Sequence, residues 1–543
     1  MSIQESDISH KQLPRTPSLW IVNTFLLLGL FFIIVVGRYS DALPQFAVSI
    51  LGEIFLALVV IALVFFERLP IRETLRLRWV GWKPPALSII LALSVWFIGA
   101  TISIILALLL GYTPPTSPES IPQTFGGTVL LLIATMVAAP ICEEIMFRGY
   151  VQRAYDRWGA WAGIVVCSAI FTLYHLRFLG LLGLAPVALM LGVVAWRSES
   201  LLPGMAMHAA YNGMASIVII VNAFFPFTTV LATTGGLICL SAVMIPLSLV
   251  AIWLFWQYTS VPVMPVPSHL AGWRRWIWVL PLLVILGIYG YAAFREVLLG
   301  RFPEVLAVES LELQPPSAWE EGAHTWNYEI RTTFDEVVGD AACTLTPAEA
   351  VLQLNCRMQH RPFTDQLPFL TPALSTDDEN EGRFWNQDLS WTRDDLQVIT
   401  LERMQGSQED PSVFWHLTGS SAELTVTHED TVQKTDLTSA TLLQDEWPWR
   451  LSALPFKIAY GSKTTLVRAD GAGQIQTEEV YVGVTGSESV WTPIGSFVTW
   501  KVVLSYATAG EETELAAWYA VEAPHILVQY DDGVVRYLLS SVK

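Results

Sequence analysis

The sequence predicts an α-helical polytopic membrane bundle of about nine transmembrane helices, followed by a mainly-β extramembrane domain (an antiparallel sheet or half-barrel). Three observations carry this. The 543-residue chain is 53% hydrophobic and only 15% charged, against about 25% charged in a soluble domain. Its charge is split: residues 1–299 hold 16 Lys and Arg against 12 Asp and Glu, whereas residues 300–543 hold 15 against 37. Long apolar runs stop near residue 299, and short alternating runs replace them.

A bilayer core of about 30 Å needs about 20 apolar residues in a helix. Nine spans meet or approach this: 18–37, 46–66, 85–110, 127–147, 159–178, 181–196, 206–226, 232–256 and 276–294. The sixth is short. The organisation expected is a cytoplasmic N-terminal tail at 1–17, a transmembrane domain at 18–299 and an acidic β-rich domain at 300–543. Basic residues collect in the segments 67–84 and 148–158, while 111–126 has none. By the positive-inside rule, this places the N-terminus in the cytoplasm and the tail outside, in a multi-pass cell-membrane protein. The Pro- and Ser-rich stretch 257–275 reads as a linker. No basic patch calls for nucleic acid.

In the tail, runs such as VLQLNC, SAELTVTH, EEVYVGVTG and FVTWKVVLSY are short and rich in β-branched and aromatic residues, with turns at ADGAG and YDDG between them. Cys343 and Cys356 either staple neighbouring strands, if the tail is outside, or remain two free buried thiols. Cys142, Cys167 and Cys239 lie in apolar segments and read as small hydrophobes. The tail histidines have neither triad nor metal spacing, and Asp377-Asp378-Glu379 reads as a solvated loop. A sheet of this kind suits a ligand or partner of its own.

Ionisable groups at membrane depth are costly and suggest function. Three clusters stand out. Glu143-Glu144 and Arg148 close the fourth span; Glu144 and Arg148, four apart, can pair on one face, and Glu143 is turned about 100° from Glu144. His175 ends the fifth span. His208 and Asn212, four apart in the seventh, point the same way. Taken singly, each has a plainer reading: an anchoring ion pair, a packed histidine, an amide joining two helices. Together they support peptide hydrolysis. A carboxylate in an apolar pocket can serve as general base at neutral pH. Glu143 with His175 could polarise a water, and His208 and Asn212 could receive the oxyanion. Zn²⁺ bound by the histidines and a glutamate is the lesser alternative, since the spacing is not H-E-x-x-H; no cofactor is expected. A straight fifth helix begun near 159 would carry His175 about 24 Å along its axis, away from Glu143 and His208, unless that helix is tilted or starts later.

The segments EEIMFRGY, FTLYH and HAAYN match E-E-x-x-x-R, F-x-x-x-H and H-x-x-x-N, in order and in apolar helices. In these the chain resembles the CPBP family of CAAX proteases and bacteriocin-processing (Abi) proteins, over roughly residues 80–225. The resemblance implies a glutamate-dependent intramembrane endopeptidase acting on a membrane-associated protein or peptide within the lipid bilayer. It implies Glu143 as water-activating base, His175 as its partner, His208 and Asn212 at the oxyanion, and Glu144 and Arg148 in support. The competing readings are a non-proteolytic membrane binding or scaffold protein of the same fold and a transporter with a proton relay.

Overall fold

A computed structural model describes residues 16–39, 44–112, 121–122, 124–224, 234–259, 278–301, 311–332, 335–360, 383–406, 411–419, 423–428, 431–436, 438, 440–444, 446–469, 475–508, 511–532 and 535–543. Most of the linker, the turn ADGAG and Asp377-Asp378-Glu379 lie outside these residues. The chain forms two compact units, Met1–Pro114 with Pro122–Val297, and Pro115–Ile121 with Leu298–Lys543.

The first unit is helical: α1 (Leu19–Tyr39), α2 (Gln45–Phe66), α3 (Lys83–Leu110), α4 (Phe125–Trp158), α5 (Ala160–Tyr174), α6 (Phe178–Ser198), α7 (Leu201–Phe224), α8 (Thr234–Tyr258) and α9 (Leu280–Arg301). Among the described residues, eight are long and apolar enough to cross a membrane; α5, at 15 residues and about 22 Å, is shorter. Local chemistry sets several ends. Prolines open α3, where a missing N–H costs nothing, and Gly111 closes it at φ 71°. The Thr124 hydroxyl accepts from Gly127 N at 3.0 Å and starts α4. The Glu296 carboxylate accepts from Phe178 N and Leu179 N at 2.7 and 3.2 Å, capping α6.

Two expectations about these helices are corrected. The sixth span is not short: α6 has 21 residues. The fourth does not end near Glu143: α4 runs on to Trp158, because the charged residues read as a loop are paired inside the protein, Arg148 and Asp156 buried and Arg153 and Arg157 half-buried. Arg76 bonds Asp156 Oδ2 at 2.7 Å and Arg148 O at 3.0 Å, and Arg153 bonds Glu199 Oε2 at 2.7 Å. A polar helix turn persists in an apolar bundle when its partners are built in.

Among the described residues, the second unit forms one 15-stranded sheet. Its order is β8 (Thr431–Asp436), β7 (Glu423–His428), β6 (Pro411–Gly419), β5 (Val398–Gly406), β4 (Arg383–Thr392), β3 (Val351–His360), β2 (Val337–Pro347), β1 (His324–Thr332), β15 (Val535–Val542), β14 (Leu527–Asp531), β13 (Glu511–Ala520), β12 (Gly495–Thr508), β11 (Ile475–Thr492), β10 (Gly461–Ala469) and β9 (Leu442–Leu443). Every pairing is antiparallel except the short β9–β10 contact. Alternation sets the faces, so that Trp326, Tyr328, Ile330 and Thr332 of β1 point into the core. The sheet is curled. Trp391 on β4 (Arg383–Thr392) donates to Glu446, and Tyr519 on β13 (Glu511–Ala520) donates to Pro448 O, both at 2.6 Å. Six strand steps on a flat sheet would separate them by roughly 29 Å. The segment Glu446–Leu454 thus plugs the curl, bringing Trp447, Leu451 and Leu454 into the core. Cys343 on β2 (Val337–Pro347) faces Cys356 on β3 (Val351–His360) and forms a disulfide across the pair.

Candidate active site

Gly159 breaks α4 from α5 at φ 106°, a left-handed turn that favours glycine. From there the two helices return side by side. Phe147 and Phe171, each twelve residues from Gly159, meet with ring centroids 5.1 Å apart. Glu143 and His175, each sixteen residues away, therefore come level. The distance that a helix from 159 imposes on His175 is matched by the unexpected length of α4, which sets the two residues at a similar height along their helices. Leu176, at φ 52°, ends α5 just past His175.

α4 is irregular where it carries the site. It widens to π-helix at Ala134–Ala138 and Glu144–Val151, a geometry frequent at functional sites. The first widening has a visible cause and use. Pro140 has no N–H, and Ala139 N bonds back to Ala134 O. Thr135 O takes instead the amide of Asn212, with Nδ2 at 2.9 Å. The Thr135 hydroxyl lies 2.8 Å from that of Ser216, one turn beyond on α7.

Glu144 is fully buried and organises the centre. Its Oε1 lies 3.0 Å from His208 Nδ1 and 3.1 Å from Arg148 Nη1. Arg148 also donates to Ala188 O at 3.2 Å and lies over the Phe171 ring at 4.3 Å. α7 approaches this carboxylate at Gly204, where a Cβ would stand 3.0 Å from Glu144 Oε2. With Nδ1 committed to Glu144, His208 turns Nε2 toward Glu143 Oε2, 3.7 Å away, a gap that a water can bridge. His175 is exposed; its Nδ1 donates to Phe171 O at 2.9 Å, leaving Nε2 free to accept. The Phe171 ring stands 4.9 Å from the His175 ring and 5.9 Å from that of His208. Among the described residues, His175 forms no ion pair with either glutamate, and no group of three or more His, Cys, Asp or Glu is placed to hold a metal ion.

One acid escapes the motif pattern. Glu53, the lone charged residue of α2, faces Glu143 within hydrogen-bonding range. The signal was present in the sequence, a single carboxylate in a 22-residue apolar span.

Neighbouring helices of the bundle thus carry a glutamate pair, two histidines and an amide, of which Glu144 and His208 are buried. Residues 125–214, which contain all of these groups except Glu53, match the family described as Type II CAAX prenyl endopeptidase Rce1-like. An uncharacterized 24.3 kDa protein of Escherichia coli is 26% identical over 166 residues, 29% of this chain and 73% of that protein. Among solved structures, a β-barrel-like protein of a domain of unknown function (DUF1849) from Brucella abortus aligns at 14% identity and TM-score 0.28, over 43% of this chain and 99% of its own. A putative lipoprotein from Parabacteroides distasonis aligns at 9% identity and TM-score 0.20, over 44% and 100%.

Proposed function

We propose that the helical unit hydrolyses a peptide bond in a membrane-associated protein, with Glu143 as the base that activates water. The observation that carries this is Glu143 and Glu144 meeting the two nitrogens of one imidazole, His208. In the reaction, Glu143 takes a proton from water and the resulting hydroxide attacks the carbonyl carbon. His208, carrying a proton on Nε2 as well as on the Nδ1 bonded to Glu144, and the second amide hydrogen of Asn212 receive the oxyanion, and Glu143 passes its proton to the departing nitrogen. His175 Nε2 accepts from the same water and aims its lone pair. Glu144 and Arg148 act through His208: they fix its ring.

The test uses full-length protein in lipid nanodiscs with a membrane-anchored, quenched-fluorescent peptide library. Glu143→Gln should lower cleavage at least about 100-fold while melting is unchanged. Cleavage at the wild-type rate removes the reading.

A non-proteolytic scaffold of the same fold is the second reading, favoured by one observation: Asn212 joins α7 to α4 through Thr135 O. It expects Glu143→Gln to be silent and His208→Ala to unfold the bundle. For the tail, the Cys343–Cys356 disulfide supports an extracytoplasmic location, with the N-terminus in the cytoplasm. There the curled sheet serves as a binding module for a ligand or for the exposed part of a substrate.

A further inference from the structure

We propose that Glu53 and Glu143 form a carboxyl pair sharing one proton, in which Glu53 is the positioning residue that holds Glu143 for its work on water. This rests on the reading of Glu143 as base, but its own evidence is separate. α2 lies outside the matched segment 125–214. A lone carboxylate in an apolar span is costly unless a partner is supplied. The partner here is Glu143, within hydrogen-bonding range. A hydrogen bond between two carboxyl groups needs a proton on one of them.

Among the described residues, the cationic groups nearest the pair are His208, with Nε2 3.7 Å from Glu143 Oε2, and Arg148. Glu144, Arg148 and His208 are the ionisable groups near Glu143, and Cys142 and Tyr174 those near Glu53. The Arg148 guanidinium is bonded to Glu144 and Ala188 O, and the Tyr174 hydroxyl donates to Leu26 O at 2.7 Å. Glu53 Oε2 and Glu143 Oε2 are each buried without a hydrogen-bond donor.

During turnover the shared proton stays between the two carboxyls. A second proton moves from water to Glu143 as the C–O bond forms, then to the amine nitrogen as the C–N bond breaks. The pair ends as it began.

Infrared difference spectroscopy of the full-length protein in nanodiscs, exchanged between H₂O and D₂O, reads the shared proton directly. The wild type should show a protonated-carboxyl band that both Glu53→Gln and Glu143→Gln remove and that Glu53→Asp retains. On the peptide library, Glu53→Gln should slow cleavage roughly tenfold or more and move the pH of half-maximal rate by about one unit; Glu53→Asp should restore most of both. A spectrum that neither Gln variant changes overturns the pair and leaves the protease reading standing. Cleavage by Glu143→Gln, with the band behaving as described, overturns the protease reading and leaves the pair.

Discussion

Glu144 Oε1 lies 3.0 Å from His208 Nδ1, so one buried carboxylate decides which way the imidazole faces. The same oxygen neutralises Arg148 at 3.1 Å. Replacing Glu144 by Gln leaves a buried guanidinium without its counter-charge, at a cost of about 3–5 kcal/mol. It also presents an amide that can reverse the His208 tautomer. The melting temperature should fall, and cleavage should fall at least about 100-fold. The double variant Glu144→Gln/Arg148→Met should recover most of the stability and none of the activity. Thermal unfolding in detergent and the library assay read the two effects separately.

Gly159 sets the register between α4 and α5. Alanine at φ 106° should cost of order 1–3 kcal/mol. It should weaken cleavage more than a destabilised helix elsewhere, because His175 slides relative to Glu143. A cysteine cross-link between positions 147 and 171, now in ring contact, should form readily in the parent protein and poorly in Gly159→Ala.

Asn212→Ala removes the donor on Thr135 O and should cost about 1 kcal/mol, the usual value of an interhelical hydrogen bond in lipid. If the amide serves the oxyanion as well, kcat falls with little change in KM. Equal activity at lower stability would instead favour the scaffold role.

The Cys343–Cys356 disulfide closes a loop of sequence separation 13 across β2 and β3, which corresponds to about 3 kcal/mol in the chain-entropy account. Cys343→Ser should make the tail open at lower urea concentration. Limited proteolysis of the full-length protein, with and without reductant, should show the same early cleavage in the parent only after reduction.

Much of this architecture was legible in the residues. Apolar runs located eight long helices because lipid demands length, and the change to short alternating runs near residue 300 marked the sheet. The motif residues Glu143, Glu144, Arg148, His208 and Asn212 could be named for the same reason: charge is sparse in that bundle. Two things were hidden. Arg148, Arg153 and Asp156 look like a loop when counted by polarity, since their partners Arg76 and Glu199 come from distant segments. Glu53 was visible but belonged to no local pattern; its meaning comes from α2 packing against α4. The curl of the sheet likewise depends on contacts of Trp391 and Tyr519 with one short segment that no strand pattern announces.

The central pairing of β1 with β15 joins the earliest and the latest strands of the tail. Residues 324–332 therefore wait, through some two hundred positions of synthesis, for the neighbour that completes their ladder. If the tail is exported as it is made, it must travel unfinished and exposed to proteases, and a ribosome that stalls before Val535 leaves a product with its middle missing.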